Sequence, residues 1–455
     1  MQPVIYDFVG VGFGPANIAL AVALEEQGLL ERGVFLEQTA GPTWQPGMLI
    51  AGADIQNNPL RDLVTPRNPT SRYSFTNFLH AHDRLFAYLN LGVHFPLRKE
   101  FAQYVRWVAR SFDRHVQYGR EVQYINVDDS SGIYRVVTAS GEVYRARAVV
   151  LAPGRTPFIP QVFAGALGDR VFHLNEYLPK IERILSIKPS AHLCVVGASQ
   201  SAAEIVLDLY ERFSEATITN LVRGFGYQLK DTSPFSEHVY FPEFVDLFYG
   251  ASAEKKRALT ASLRRTNYSS ADADVIHKIY LALYEQRVDG ESRLNVCTNS
   301  MIKDVRLAGT TVELDLEETY RAVNRTIEVD AVVLATGFRN FGEEEECEPC
   351  PPVMAKLINR IKVDNKGVVH VNRDYSLSQR EHSTILPPIY VNGLCESSHG
   401  FGDAGSFSLL SLRALDISRS LADRLQLNQL RGGVEQRAGS KPRAIERQHE
   451  PMAAE

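Results

Sequence analysis

Val4-Ile5-Tyr6-Asp7-Phe8-Val9-Gly10-Val11-Gly12-Phe13-Gly14-Pro15 is the stretch whose reading decides the fold. A short, mostly apolar run leads into three alternating glycines. Ile18, Leu20, Ala21, Val22 and Leu24 then mark a buried helix that closes near Gly28, and Gly33 precedes a second apolar run, Val34-Phe35-Leu36-Glu37. The whole reads as a strand–turn–helix–strand unit with an acidic residue at its far end. In that context Gly10, Gly12 and Gly14 have physical roles: a tight turn, a close backbone approach to a pyrophosphate, and a helix N-terminus that favours anions. Glu37 is placed to accept a hydrogen bond from an adenosine ribose hydroxyl. The last fingerprint position falls on Pro15 or Ala16 in place of glycine.

A second unit begins at His192-Leu193-Cys194-Val195-Val196 and turns at Gly197-Ala198-Ser199-Gln200-Ser201. Its helix continues through Ile205, Val206 and Leu207, and its next strand, Thr217 to Val222, ends in Arg223. An arginine where the first unit has Glu37 suits a ribose 2′-phosphate, and so NADP rather than NAD. A plain surface arginine is the bland alternative. Two further segments mirror each other, Ala148-Val149-Val150-Leu151-Ala152-Pro153-Gly154 and Ala331-Val332-Val333-Leu334-Ala335-Thr336-Gly337. Each is an apolar strand ending in a small-residue turn, of the kind that marks a crossing between two dinucleotide domains. The order predicts an α/β fold with two Rossmann-like dinucleotide-binding domains. The first is discontinuous, residues 1–185 plus 335–430, and the second is inserted over 190–330. Helical and aromatic patterns over 235–285 predict a small helical substrate subdomain.

Composition agrees with a globular chain of two or three domains at about 150 residues each. Of 455 residues, 44% are apolar and 23% charged, which excludes disordered, collagen-like and coiled-coil readings. Lys and Arg total 49 against 54 Asp and Glu, a net charge of −5 without a basic run, so nucleic acid is not an expected partner. Five cysteines do not make a disulfide framework, and a reducing, cytoplasmic compartment fits better. No run approaches the ~18 apolar residues of a membrane span. Met1 to Phe8 reads as structural and not as a signal peptide, and the polar 431–455 tail reads as disordered.

Two dinucleotide units suggest a flavin and a nicotinamide facing each other, and further motifs narrow this. Trp44-Gln45-Pro46-Gly47-Met48, Asp62-Leu63-Val64-Thr65, Arg67-Asn68-Pro69-Thr70-Ser71 and Tyr73-Ser74-Phe75 follow Glu37 in order. Arg98-Lys99-Glu100-Phe101, Gln200-Ser201-Ala202-Ala203-Glu204, Thr266-Asn267-Tyr268-Ser269, Ala335-Thr336-Gly337-Phe338 and His399-Gly400 with Ser408 complete the series. From about residue 4 to 425 the chain resembles the N-hydroxylating flavin monooxygenases of siderophore biosynthesis, the L-ornithine N5- and L-lysine N6-monooxygenases. The resemblance implies FAD and NADPH as cofactors, O2 as cosubstrate and a C4a-hydroperoxyflavin that oxidises a substrate amine. It implies a homo-oligomer, tetramer or dimer. The hard chemistry is then the cofactor's, and the absence of a nucleophile constellation is consistent with that.

By position, the resemblance places Gln56 beside the flavin and puts Asn267 near the substrate and the nicotinamide ribose. Arg61 falls where the family has an amino-acid-binding lysine, Glu237 where it usually has Asn, and Ser408 on a serine that closes the site. Trp44, Gln45, Met48, Gln56, Gly337 and Ser408 join Gly10, Gly12, Gly14, Pro15, Glu37, Gly197, Ser199, Gln200, Ser201 and Arg223 as expected cofactor contacts. No metal is expected.

Several departures bear on substrate choice. Gln56-Asn57-Asn58-Pro59-Leu60-Arg61 replaces Gln-Val/Ile-Ser-Phe-Leu-Lys, Ile55 stands for a usual Met, Gln45 for a His, and Ala198-Ser199 for Gly-Gly. One extra residue lies before Ser408, in Asp403-Ala404-Gly405-Ser406-Phe407. Arg61 keeps a cation able to clamp a carboxylate. Glu237 adds a negative charge that favours a cationic group. Facing an α-amino group it still accommodates ornithine; facing the far end it admits the guanidinium of arginine; turned to solvent it does neither. A flavin-dependent NADPH oxidase or reductase with little amine chemistry is the competing function. Cys347-Glu348-Pro349-Cys350 has no second pair to complete a zinc site and reads as a loop. His399 is as readily structural as functional.

Overall fold

Phe8–Val11 and, up to its terminal Glu37, Gly33–Glu37 are apolar because both faces of their sheet are covered. The computed structural model describes residues 4–342, 344–380, 386–403 and 405–426. The 431–455 tail and Ala404 lie outside the described residues. The first sheet runs, in spatial order, Ile389–Val391, Val149–Leu151, Phe8–Val11, Gly33–Glu37 and Val116–Tyr118, all parallel. The helix Pro15–Glu26 buries an unbroken run from Asn17 to Leu24, because it lies between that sheet and the late helix Leu410–Arg424. The expected single strand Val4–Val9 is split at Asp7. Ile5–Tyr6 pairs in parallel with Val143–Ala146, the edge of an otherwise antiparallel sheet, and Phe8–Val11 enters the main sheet. Asp7 is buried at the break, its carboxylate 3.7 Å from Arg32 and 3.6 Å from Arg147.

The second sheet is also parallel: Leu294–Cys297, Thr217–Leu221, His192–Val196, Ala331–Leu334 and Val171–His173. Its last strand differs from the expected boundary. The motif order predicts a first domain reaching 185, yet Val171–His173 pairs with Ala331–Leu334, and Phe172, Tyr177, Ile181 and Leu185 pack with Leu193 and Val195. A strand of three residues with no glycine turn leaves no periodic signal. The helix Ala273–Asp289 likewise belongs to this domain and not to the helical insert. It connects two parallel neighbours, which requires a crossover, and buries Ile279 and Ala282 against the helix Gln200–Arg212. The insert proper comprises the short turn Ser236–Tyr240 and the helices Pro242–Gly250 and Ala253–Leu263. An antiparallel meander, Ser300–Ala308, Thr311–Glu318 and Val323–Val329, adds a further layer that the motif reading did not anticipate.

Where the chain crosses between domains, the two small-residue turns pair with each other. The Phe158 N–H donates to Gly337 O at 2.9 Å and the Arg339 N–H to Thr156 O at 2.8 Å. This brings the carboxyl ends of both sheets, with their glycine turns, to a shared crevice.

Candidate functional site

Gly12 follows the central strand of the first sheet with φ +82°, and a Cβ there would lie 2.3 Å from the Ala152 carbonyl oxygen. Only glycine permits that approach. Gly14 then caps the helix Pro15–Glu26 without a side-chain hydrogen bond, and no acidic residue occupies the first turn. A Cβ on Gly14 would meet nothing within 4 Å. The result is an uncapped helix N-terminus facing open space, with Pro15 removing no needed donor, which fits a pyrophosphate. At the end of the next strand, Glu37 is held by the Phe13 N–H (2.7 Å), the Thr39 N–H (2.9 Å) and the Thr39 hydroxyl (2.8 Å). These donors fix the carboxylate while leaving lone pairs for a ribose diol.

Nearby, Trp44 packs edge-on against Phe101 and Phe407, with centroids 6.1 and 5.3 Å apart. Gln45 is exposed at φ +46° and opens the turn Pro46–Met48. Met48 is 4% exposed and packs into the second domain's core with Phe172 and Tyr177, so this loop leans across the crevice.

In the second domain Gly197 has φ +139°, and a Cβ would lie 2.5 Å from Ala335 O. Ser199 is the N-cap of the helix Gln200–Arg212, again without a side-chain cap bond, and Ser201 lies in its first turn. The Gln200 side chain is committed within the protein: Oε1 accepts the Asp272 N–H at 2.9 Å and Nε2 donates to Glu204 at 3.1 Å. Arg223 is exposed beyond the strand Thr217–Leu221 and has no partner among the described residues. Gly337 sits at φ +84° in the second crossing turn.

Between the domains, Gln56 adopts φ +51°, and its N–H donates to Asp54 Oδ1 at 2.8 Å. Its side chain reaches the second domain, accepting from Lys230 at 3.0 Å and donating to Asp272. Arg61 and Ser408 are joined through Asn57, which donates to Arg61 O (2.7 Å) and accepts from Ser408 Oγ (3.2 Å). The Arg61 guanidinium lies 5.9 Å from the Tyr240 ring, and the Tyr240 hydroxyl donates to Thr266 O at 3.2 Å. Burial raises the Tyr240 phenol far above its ordinary value; Tyr268, Glu396 and Glu237 add to the rise and Arg61 opposes it. Arg61, Glu237 and the Thr266–Tyr268 segment therefore share one cluster around Tyr240. The Asn267 side chain, half-buried, makes no hydrogen bond to the described residues.

Glu396 was missed from the sequence. It is buried on a single helical turn, Glu396–His399, accepts the Tyr268 hydroxyl, and is pushed up to about 7 by burial, opposed by Arg155 and the Tyr268 bond. Arg155, also missed, has Nη2 at 3.3 Å from Tyr268 Oη and 3.1 Å from Asn340 Oδ1. Proximity to the Thr-Asn-Tyr-Ser motif exists only in three dimensions, so no spacing signalled either residue. His399 is structural. It is fully buried, stacks on Tyr375 at 4.2 Å, contacts Ser398 Oγ and Arg373 O, and is pulled down to about 4 by burial. All five cysteines are free thiols, and no cluster of three metal-binding side chains occurs among the described residues. No described helix is long and apolar enough to cross a membrane.

Residues 4–340 match the family model described as L-lysine 6-monooxygenase/L-ornithine 5-monooxygenase. The chain is 37% identical over 437 residues to the L-ornithine N(5)-monooxygenase of Pseudomonas aeruginosa, covering 93% of this chain and 95% of that one. It is 37% identical to the L-ornithine N(5)-monooxygenase of Burkholderia cepacia over 87% of this chain and 90% of that one. Among solved structures, the ornithine N-hydroxylase of Kutzneria sp. 744 with reduced FAD, NADP⁺ and L-ornithine superposes with a TM-score of 0.84 at 31% identity, covering 92% of this chain and 100% of that one.

Proposed function

Because the chain belongs to the L-lysine 6-monooxygenase/L-ornithine 5-monooxygenase family, we propose that it hydroxylates the side-chain nitrogen of a cationic amino acid, with L-ornithine the default and L-arginine the leading departure. It is a flavin-dependent N-hydroxylating monooxygenase that uses FAD, NADPH and O2. A bound flavin would supply the redox chemistry, accepting a hydride from NADPH and activating oxygen. The chain's own residues bind, orient and exclude water.

The observation that carries the substrate reading is the cluster at Tyr240, where a guanidinium and a carboxylate stand within electrostatic reach of one buried phenol. Arg61 clamps the substrate carboxylate. Glu237 draws in a cationic group. The reacting nitrogen must be neutral to attack an electrophilic oxygen, so Glu237 contacts a different group or takes that nitrogen's proton. Asn267, uncommitted among the described residues, hydrogen-bonds the substrate, and Ser408 closes the site behind Asn57. Glu37 holds the flavin's ribose and the Gly12–Gly14 turn its pyrophosphate. Gln56 lies beside the flavin, and Ser199 and Ser201 hold the nicotinamide cofactor's phosphates.

A panel of ornithine, lysine, arginine and diamines, scored for hydroxylated product against NADPH consumed, tests the reading. Glu237→Asn shifts the preference toward ornithine by about tenfold, as expected for losing one hydrogen bond to a charged group. NADPH consumption that yields only hydrogen peroxide with every amine supports the oxidase function instead. Unchanged selectivity in the variant places Glu237 outside the pocket.

Arg223 carries cofactor choice. Arg223→Ala raises the NADPH KM by about tenfold and leaves NADH nearly unaffected, because only NADPH bears the 2′-phosphate. Equal loss with both cofactors overturns the assignment. We place the enzyme in the cytoplasm as a dimer or tetramer feeding siderophore or related natural-product synthesis; sedimentation velocity checks the assembly.

A further inference from the structure

The Gln56 carboxamide is held in one orientation by unlike neighbours. Its oxygen faces the Lys230 ammonium at 3.0 Å, and its NH2 group faces the Asp272 carboxylate. Turning the amide over would set donor against donor and acceptor against acceptor, so chemistry fixes the orientation. Lys230 also lies 3.9 Å from Asp272. Both partners belong to the second domain, while Gln56 sits on a first-domain loop in the left-handed region, which a non-glycine residue occupies at a cost. The contacts continue beyond this pair. The Asp272 N–H donates to Gln200 Oε1, Gln200 Nε2 donates to Glu204 Oε1, and Arg98 Nη2 bridges Glu204 Oε1 and Asp54 O at 2.9 Å each. Asp54 Oδ1 then accepts the Gln56 N–H, closing a ring of hydrogen bonds that crosses the crevice twice.

We propose that Lys230 and Asp272 are positioning residues that lock the Gln56 carboxamide and, through Gln200, couple it to the nucleotide-binding turn of the second domain. The proposal rests on the flavin monooxygenase reading, because it assigns the Gly197–Ser201 turn to NADP(H) and places Gln56 beside the flavin. Gln200 is the joint. It lies in the first turn of the helix that Ser199 caps, so a dinucleotide phosphate seated there restrains the residue that holds the Asp272 backbone. Asp272 in turn holds Gln56. Burial pushes the carboxyls of both Asp54 and Asp272 upward, and Lys230 opposes the shift at Asp272. The ring is built entirely from protein groups. Its function is to keep the oxidised nicotinamide cofactor in place while oxygen chemistry proceeds, which shows as coupling and not as the rate of flavin reduction alone.

The test uses the full chain with Lys230→Met, Asp272→Asn, the double variant and Lys230→Arg. NADP⁺ affinity is read on oxidised holoenzyme by flavin absorbance, coupling as hydroxylated product per NADPH, and interdomain order as limited proteolysis of the flavin-free chain. Each single variant should weaken NADP⁺ by about tenfold, the loss expected for one charge-assisted hydrogen bond, with the double variant little worse than either single one. Peroxide release should rise in parallel, flavin-free protein should be cut faster, and Lys230→Arg should restore much of the affinity. Additive losses, or wild-type NADP⁺ affinity and coupling in both single variants, overturn the proposal. A wild-type chain that binds no FAD or does not oxidise NADPH instead overturns the underlying functional reading, so the two failures are distinct.

Discussion

Gly12→Ala should give a chain that retains no flavin and unfolds at a much lower denaturant concentration. Two costs combine. An alanine at φ +82° pays ~1–2 kcal/mol for the left-handed region. Its methyl also lands 2.3 Å from the Ala152 carbonyl oxygen, a backbone atom beside the strand Val149–Leu151 that cannot swing away as a side chain would. Forcing the strands apart adds ~1–3 kcal/mol, a large share of the ~5–15 kcal/mol that holds an ordinary domain folded. Gly14→Ala is the control. Its φ of −81° suits any residue and its methyl meets no protein atom, so the flavin-free variant should unfold with the wild type. That methyl nevertheless projects into the space proposed for the pyrophosphate, and flavin affinity should fall. Urea titration of both flavin-free proteins, with flavin content read by absorbance, separates the effects. Full flavin content in Gly12→Ala would sink the account of this turn.

The second large effect is expected at Glu396. Its carboxyl ionises at about 7 in the fold against an ordinary 4.5, because burial disfavours the charge more than Arg155 and the Tyr268 hydroxyl favour it. A raised folded value means that the folded chain holds this proton more tightly than the unfolded one. The stabilisation is therefore complete below about pH 4.5, is lost as pH rises through 7, and stays constant above. Glu396→Gln removes the dependence while keeping an oxygen to accept the Tyr268 hydroxyl. The variant should be more stable than wild type above pH 7 by up to about 3 kcal/mol, and no more stable near pH 4.5. Urea midpoints across that range decide it. Parallel pH profiles for the two proteins would show that Glu396 does not titrate in this window.

Both glycine turns were legible because parallel strands buried on two faces leave continuous apolar runs, and the turns after them demand glycine. The mirrored segments Ala148–Gly154 and Ala331–Gly337 were legible for the same reason. Val171–His173 was not, since a short edge strand acquires meaning only from its partner Ala331–Leu334. The meander does carry a local signal: Val312, Leu314 and Leu316 alternate with less buried neighbours at the period of a half-buried strand. Arg61, Glu237 and Asn267 were located through motif positions and not through periodicity. Lys230, Arg155 and Glu396 carry no local pattern, and Asp272 reads locally only as the N-cap of the helix Ala273–Asp289. Each gains its partner across a domain crossing or from a loop far along the chain, and the strained backbone at Gln56 follows from those contacts and not from residue type.

The discontinuity of the first domain has a consequence for the order in which the chain is assembled on the ribosome. Every strand of the second parallel sheet has been made once Leu334 emerges, so that domain has its full sheet while synthesis continues. The first domain does not. Its edge strand Ile389–Val391 must find Val149–Leu151, and the helix Leu410–Arg424 must come back over Pro15–Glu26, where Gln27 bonds to Ser418 across 391 positions. Until then the apolar face of the helix Pro15–Glu26 has no permanent cover. Closing such distant contacts is slow, and the waiting surface is one that aggregation or a chaperone would meet first. The domain translated first is thus the last to be completed, and the nascent chain carries one finished parallel sheet attached to an open one.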